Sequence, residues 1–233
     1  MKLHRFLGNF DFTKAVVLST DLELINQLKN VLHLIVGTKV ILINQLGEEI
    51  EAEIHHLTKN EVSFLILTNR PIVKKTNRLV TLYCAILKKE NFELVVQKAT
   101  ECGVAKIVPI ISERTIKTGF RRERLEKIIK EAVEQSGRSI LPILTDPISL
   151  FDFSMTNENN DKNLFFIPGE KKIKTADFLS DDRMGIFIGP EGGWSEGEII
   201  WAKEQNFVFT GLGDFVLRGE TAAIVASYLV TNY

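Results

Sequence analysis

Near the C-terminus the chain reads Ile188-Gly189-Pro190-Glu191-Gly192-Gly193-Trp194-Ser195, an apolar run delivered into a glycine-rich turn. Glycine at 189, 192 and 193 removes Cβ and permits positive φ, so a ligand can lie directly against the peptide groups. Ser195 followed by Glu198 has the spacing of a capping box, in which each side chain satisfies the other's backbone N–H. Strand, glycine turn and helix N-terminus in succession describe a small-molecule site at the carboxyl end of a sheet. A second turn of this kind follows in Leu212-Gly213-Asp214-Phe215-Val216-Leu217-Arg218-Gly219-Glu220-Thr221-Ala222, running into an apolar helix over 222–230. A single glycine turn is an ordinary surface connection, whereas two so close together predict loops that converge on one pocket.

The chemistry of that pocket is bounded by what the turns lack. No Gly-x-Gly-x-x-Gly follows a strand and no Gly-Lys-Ser/Thr is present, which removes the dinucleotide fingerprint and the phosphate-cradling loop. Glu191 inside the first turn repels a phosphate and suits a cationic or hydroxylated ligand. Cys84 and Cys102 both stand in apolar surroundings and read as buried thiols of a reducing cytosol. His4, His33, His55 and His56 have no partners at metal-ligand spacing, so no structural zinc is expected.

The elements that must position these turns change character along the chain. Over the first seventy residues, short β-branched strands at 15–18, 39–43, 49–54 and 62–67 predict a small β-barrel. One helix interrupts them, with Thr20 as its cap, Glu23 closing the box, and Leu24, Leu28, Val31 and Leu32 as its apolar stripe. The polar, basic, proline-broken stretch 69–78 reads as a linker, which places a first domain at 1–72 and a second at 73–233. From residue 79 strands alternate with helices. Strands are expected at 79–87, 104–111, 164–167, 185–188 and 207–212, and helices at 92–102, 121–135, 195–204 and 222–230. Near-continuous apolar strands separated by helices predict an α/β domain with a mainly parallel sheet covered on both faces.

A net charge of −1 hides an asymmetry. Residues 73–140 carry 15 Lys/Arg against 8 Asp/Glu, while 141–233 carry 7 against 14. A basic middle segment can line a polyanion, or it can be the solvated face of one helix through Arg121, Arg122, Arg124, Lys127 and Lys130. No apolar run reaches the length of a membrane span, and the N-terminus lacks a secretory signal, so a cytoplasmic protein is expected.

Ile-Gly-Pro-Glu-Gly-Gly at 188–193 and Leu-Gly-x-x-x-Leu-Arg-x-Glu-Thr-Ala at 212–222 resemble the signature of RsmE-type ribosomal RNA methyltransferases. The likeness extends, in order, through His4-Arg5-Phe6, Val31-Leu32-His33-Leu34, Ile86-Leu87-Lys88-Lys89, residues 94–104, Pro109, Ser112-Glu113-Arg114, Glu131-Ala132-x-Glu134-Gln135-Ser136-x-Arg138 and Pro142. The resemblance implies a SPOUT domain tied in a deep trefoil knot behind a PUA-like barrel. It also implies a homodimer that transfers methyl from S-adenosylmethionine, with no metal, to N3 of one uridine in small-subunit (16S) ribosomal RNA. By the same resemblance, cofactor contacts fall on Phe166, Pro168, Gly169 and Glu170, on Ile188, Gly189, Pro190, Glu191, Gly192 and Gly193, and on Leu212, Gly213, Leu217 and Arg218. Trp194 departs from the family, which often has a small aliphatic residue there.

Uridine N3 must lose a proton, by stabilisation of its anion or by a carboxylate base. Arg114 and Arg218 are the candidates for anion contacts and Glu220 for the base, although Glu220 can equally cap the last helix. Arg5, Lys88, Lys89, Arg114 and Arg138 are the candidates for gripping RNA, on free RNA or an assembled small subunit, with Arg114 and Arg138 also readable as plain surface charges. Two other readings stand beside this one: a non-catalytic RNA-binding dimer, and a knotted methyltransferase of transfer RNA.

Overall fold

The computed structural model describes residues 3–67, 72–73, 78–116, 120–156, 159–174, 176 and 180–233. Its contacts divide the chain into two compact units, Met1–Lys75 with Val133–Leu141, and Thr76–Ala132 with Pro142–Tyr233. Most of the 69–78 linker lies outside the described residues, but Ile72 and Val73 form a short strand.

In the first unit, β1 (His4–Leu7), β2 (Val16–Ser19), β3 (Lys39–Ile43), β4 (Glu48–Leu57), β5 (Val62–Ile66) and β6 (Ile72–Val73) form one sheet. The order is β1-β3-β4-β5-β2, with β6 on β4. β1 joins β3 in parallel, and the other pairings are antiparallel. The β3–β4 hairpin closes on Asn44, whose Oδ1 accepts from the amides of Leu46 and Glu48, both at 3.0 Å. Alternating residues such as Val40, Leu42, Ala52 and Ile54 face a core shared with Phe6, Phe10 and Phe64.

Helix α1 (Leu22–Asn26) is capped by Asp21 and not by Thr20 as the sequence suggests. The Asp21 carboxylate reaches the amides of Glu23 and Leu24 at 2.9 and 3.3 Å, and its charge suits the positive end of a helix. The helix then widens into a π-turn over Gln27–Val31. The wider turn rotates the apolar stripe, so Leu24, Ile25 and Leu28 are buried while Val31 is exposed.

Arg5 is also a correction. Its guanidinium, 6% exposed, pairs with Glu49, and the Ser139 hydroxyl donates to the same carboxylate oxygen. Glu134 accepts from the Leu7 amide at 2.9 Å and from the Gln27 side chain at 3.2 Å, which ties Val133–Leu141 into this unit. Arg5 is therefore spent on holding the unit together and is not presented to a phosphate. Arg138 is half-buried there, and desolvation pushes its guanidinium down to about 10.

The second unit is a parallel α/β sheet of β7 (Leu79–Ala85), β8 (Lys106–Ile111), β9 (Ile143–Leu144), β10 (Ile148–Ser149), β11 (Lys162–Phe166), β12 (Arg183–Ile188) and β13 (Val208–Thr210). The order is β10-β8-β7-β12-β11-β13, with β9 also on β8, and every pairing is parallel. Six of the seven residues of β7 and five of the six of β12 are buried, as strands covered on both faces must be. The helices are α2 (Lys89–Cys102), α3 (Arg122–Ser136, of which Arg122–Ala132 belongs here), α4 (Glu196–Glu204) and α5 (Gly219–Asn232).

Rings of Tyr83, Phe153, Phe165, Phe187 and Phe207 pack on one another as the centre of one core. The two-residue strands β9 and β10 are too short to leave a periodic signal in sequence. The arginines of the basic segment are engaged: Arg122 with Glu126 and Asp146, and Arg121 and Arg124 with Glu93. A continuous cationic face is correspondingly reduced.

Candidate active site

Because the strands are parallel, the segments that follow β7, β11, β12 and β13 all leave the sheet at one edge. There Gly211 follows β13, and an added Cβ would stand 2.5 Å from the Glu170 carbonyl oxygen, so only glycine lets the 167–170 loop pack this closely. The amides of Gly211 and Ile173 donate to the carbonyls of Lys171 and Gly211 at 2.9 and 3.0 Å, lacing the two loops together. Gly219, at the start of α5, would carry a Cβ 3.0 Å from a Leu87 methyl and 3.6 Å from the Gly189 carbonyl oxygen, which brings the third loop against the second.

Trp194 joins the second loop to the first. Its indole N–H donates to the Phe166 carbonyl at 3.2 Å, its ring stacks on Phe165 with centroids 4.6 Å apart, and a Cβ on Gly189 would meet it at 3.0 Å. Gly193 closes the turn at φ 70°, a conformation that disfavours any residue with a Cβ. Ser195 and Glu198 form the expected capping box: the Ser195 amide donates to Glu198 Oε2 at 2.7 Å, and the Glu198 amide donates to Ser195 Oγ at 3.1 Å. Glu198 Oε1 also accepts from the Glu113 amide at 3.0 Å, which pins the end of β8 to the start of α4.

These loops enclose a cavity of about 640 Å³, inside the range of small-molecule sites. Of the residues expected at a cofactor site, Phe166, Pro168, Ile188, Gly189, Pro190, Glu191, Gly193, Leu212, Gly213, Leu217 and Arg218 line it, whereas Gly169, Glu170 and Gly192 are exposed and do not. Lys88, expected on RNA, also lines it, and the Lys89 side chain lies outside the described residues. Ile167, Phe215 and Val216, which fall inside the loops 166–170 and 212–218 that the resemblance implies for the cofactor, also line the cavity, as does Trp194, whereas Asn91 and Ile199 line it without a sequence signal.

Glu191 Oε1 accepts from the Lys88 amide at 3.2 Å, placing a carboxylate at the N-terminus of α2, where a negative charge is favoured. Arg114 does not line the cavity. Its Nη1 donates to the Gly192 carbonyl at 2.8 Å and its stem packs on Gly192, so it props the turn from outside.

Glu220, in the first turn of α5, is 8% exposed and lines the cavity, and its Oε2 is buried with no hydrogen-bond partner among the described residues. A helix-capping role does not account for that oxygen. A buried carboxylate oxygen left without a donor is costly. Cys84 is buried in β7, where desolvation and the charge of Glu191 push its thiol up, so no reactive thiolate is available at neutral pH. Among the described residues no group of three or more His, Cys, Asp or Glu could hold a metal ion.

Comparison with known proteins fits this edge-on site. The sequence model of the RNA methyltransferase domain matches residues 74–231. The ribosomal RNA small subunit methyltransferase E of Rickettsia conorii is 33% identical over 209 residues, covering 87% of this chain and 84% of the relative. The chain belongs to the RsmE-type RNA methyltransferases. The Bacillus subtilis ribosomal RNA small subunit methyltransferase E is 29% identical over 231 residues, 91% of this chain and 89% of that one. Among solved members, the Neisseria gonorrhoeae ribosomal RNA small subunit methyltransferase E bound to S-adenosyl methionine superposes with a TM-score of 0.85 at 27% identity, covering 97% and 95% of the two chains. A Legionella pneumophila methyltransferase in complex with SAM gives 0.89 at 28% identity over 99% and 97%. Among the described residues no helix is long and apolar enough to cross a membrane.

Proposed function

We propose that this chain uses S-adenosylmethionine to methylate N3 of one uridine in small-subunit ribosomal RNA, working as a cytoplasmic homodimer. Under this reading the second unit is a SPOUT domain with a trefoil knot and the first a PUA-like barrel. The observation that carries the reading is the coincidence of a glycine-walled cavity with the orphan Oε2 of Glu220 inside an RNA methyltransferase domain.

The cavity suits the methyl donor. Ile188, Leu212, Leu217 and Trp194 offer apolar surface for a purine, and the turns around Gly189, Gly193 and Gly213 expose peptide groups to its polar edges. Glu191 and Glu220 put carboxylates where a sulfonium or ammonium group is welcome and a phosphate is not. When bound, S-adenosylmethionine supplies an activated methyl group that needs no metal. The protein's own work is to hold donor and acceptor close and aligned, which can supply much of the acceleration.

In this reading Glu220 takes the N3 proton, and Arg218, exposed at the cavity wall, stabilises the uridine anion or holds an adjacent phosphate; their shared place on the cavity supports both roles. Because N3 is occupied in a base pair, the target uridine must be unpaired or flipped out. The test is incubation of purified protein with tritiated S-adenosylmethionine and small subunits or naked 16S RNA from cells lacking the activity, followed by mass mapping. N3-methyluridine at one position is expected. Titration calorimetry showing no affinity for the methyl donor would leave only an RNA-binding protein, and methylation of transfer RNA alone would move the substrate.

A further inference from the structure

We infer that Phe215 is a stacking platform for an unpaired RNA base at the mouth of the cavity, with Val216 beside it and Lys88 and Arg218 holding the flanking phosphates. The inference rests on the methylation reading above for its choice of polyanion, and it places the platform at the mouth of the cavity assigned to the donor. Phe215 is 86% exposed and Val216 79%, and both line the cavity. Two large apolar side chains held in water beside a cavity forgo the burial that would otherwise stabilise them, on a loop whose neighbours Leu212 and Leu217 turn inward.

Lys88 and Arg218 are the exposed cations lining the same cavity, and neither lies in the engaged arginine cluster of Arg121, Arg122 and Arg124. An exposed aromatic ring on the same cavity as two exposed cations is an arrangement that captures single-stranded nucleic acid. The base lies on the ring, the phosphates meet the charges, and the stack tolerates any base because every base has a π-face. Glu220 lines the same cavity, so under the methylation reading the platform selects flipped-out nucleotides and presents them to the cavity that holds the proposed proton acceptor.

The test is fluorescence anisotropy of fluorescein-labelled decauridine on the full chain, with S-adenosylmethionine affinity measured separately by calorimetry. Phe215→Ala should weaken the oligonucleotide roughly tenfold or more, as loss of one base stack does. Phe215→Leu should weaken it nearly as much and Phe215→Trp should restore it, all titrated without S-adenosylmethionine so that the donor contacts of the same loop do not enter the reading. Wild-type binding by Phe215→Ala, or full rescue by the apolar but non-aromatic leucine, overturns the proposal. A change of sedimentation coefficient in Phe215→Ala also overturns it, by assigning the ring to a subunit contact. If the wild-type protein binds decauridine in this Phe215-dependent way yet has no affinity for S-adenosylmethionine, the methylation reading fails while the platform stands.

Discussion

Under the proposed function, Glu220 carries the proton transfer. Its carboxylate sits in the first turn of α5, buried at the cavity wall, with Oε2 meeting no donor among the described residues. Such a group persists because something other than stability requires it. Replacing it with glutamine keeps the shape and removes the base. Glu220→Gln should therefore lower kcat for methyl transfer by roughly a hundredfold or more while changing donor affinity only a few-fold. Single-turnover kinetics alongside calorimetry checks this, and an unchanged kcat would reassign Glu220 to structure. Arg5 is the opposite case. The residue type and position suggested a phosphate contact, but burial against Glu49 makes it part of the scaffold.

Between elements, Trp194 is the principal tie. One indole connects the end of β11, through the Phe166 carbonyl, to the turn after β12, where it fills the space above Gly189. Phenylalanine in its place keeps the stack on Phe165 but loses the hydrogen bond, a cost of about 1 kcal/mol. Alanine removes the stack as well and leaves a hole, for about 3–5 kcal/mol. Chemical denaturation should rank wild type above Trp194→Phe above Trp194→Ala. Affinity for S-adenosylmethionine should fall in the same order, because the loops that the indole joins are the walls of the cavity. Loss of stability with untouched affinity would show that the loops hold their positions without it.

For the whole molecule, the division into two compact units has a measurable consequence. Both tryptophans, Trp194 and Trp201, belong to the second unit, so tryptophan fluorescence reports its unfolding alone, whereas far-ultraviolet dichroism reports both. In urea the two probes should give separate transitions. Saturating S-adenosylmethionine should move the fluorescence transition and the matching part of the dichroism curve, by about 2.7 kcal/mol at a hundred times its Kd, and leave the first unit's part of the dichroism curve in place. Coincident transitions at every ligand concentration would mean that the two cores unfold as one.

Much of this protein was decided by sequence alone, because its signals are local. Apolar strands alternating with helices point to a parallel sheet by their pattern, while Ser195 and Glu198 specify a helix start and glycines at 189 and 193 a tight turn through interactions within a few residues. What lay beyond that reach was set by packing. The carboxylate of Glu198 meets the Glu113 amide across the fold, the arginines of the basic segment find acids far along the chain, and the ring of Trp194 spans two strands. The missing partner of Glu220 and the exposure of Phe215 are likewise properties of a surrounding shell of atoms, which only the assembled tertiary structure creates.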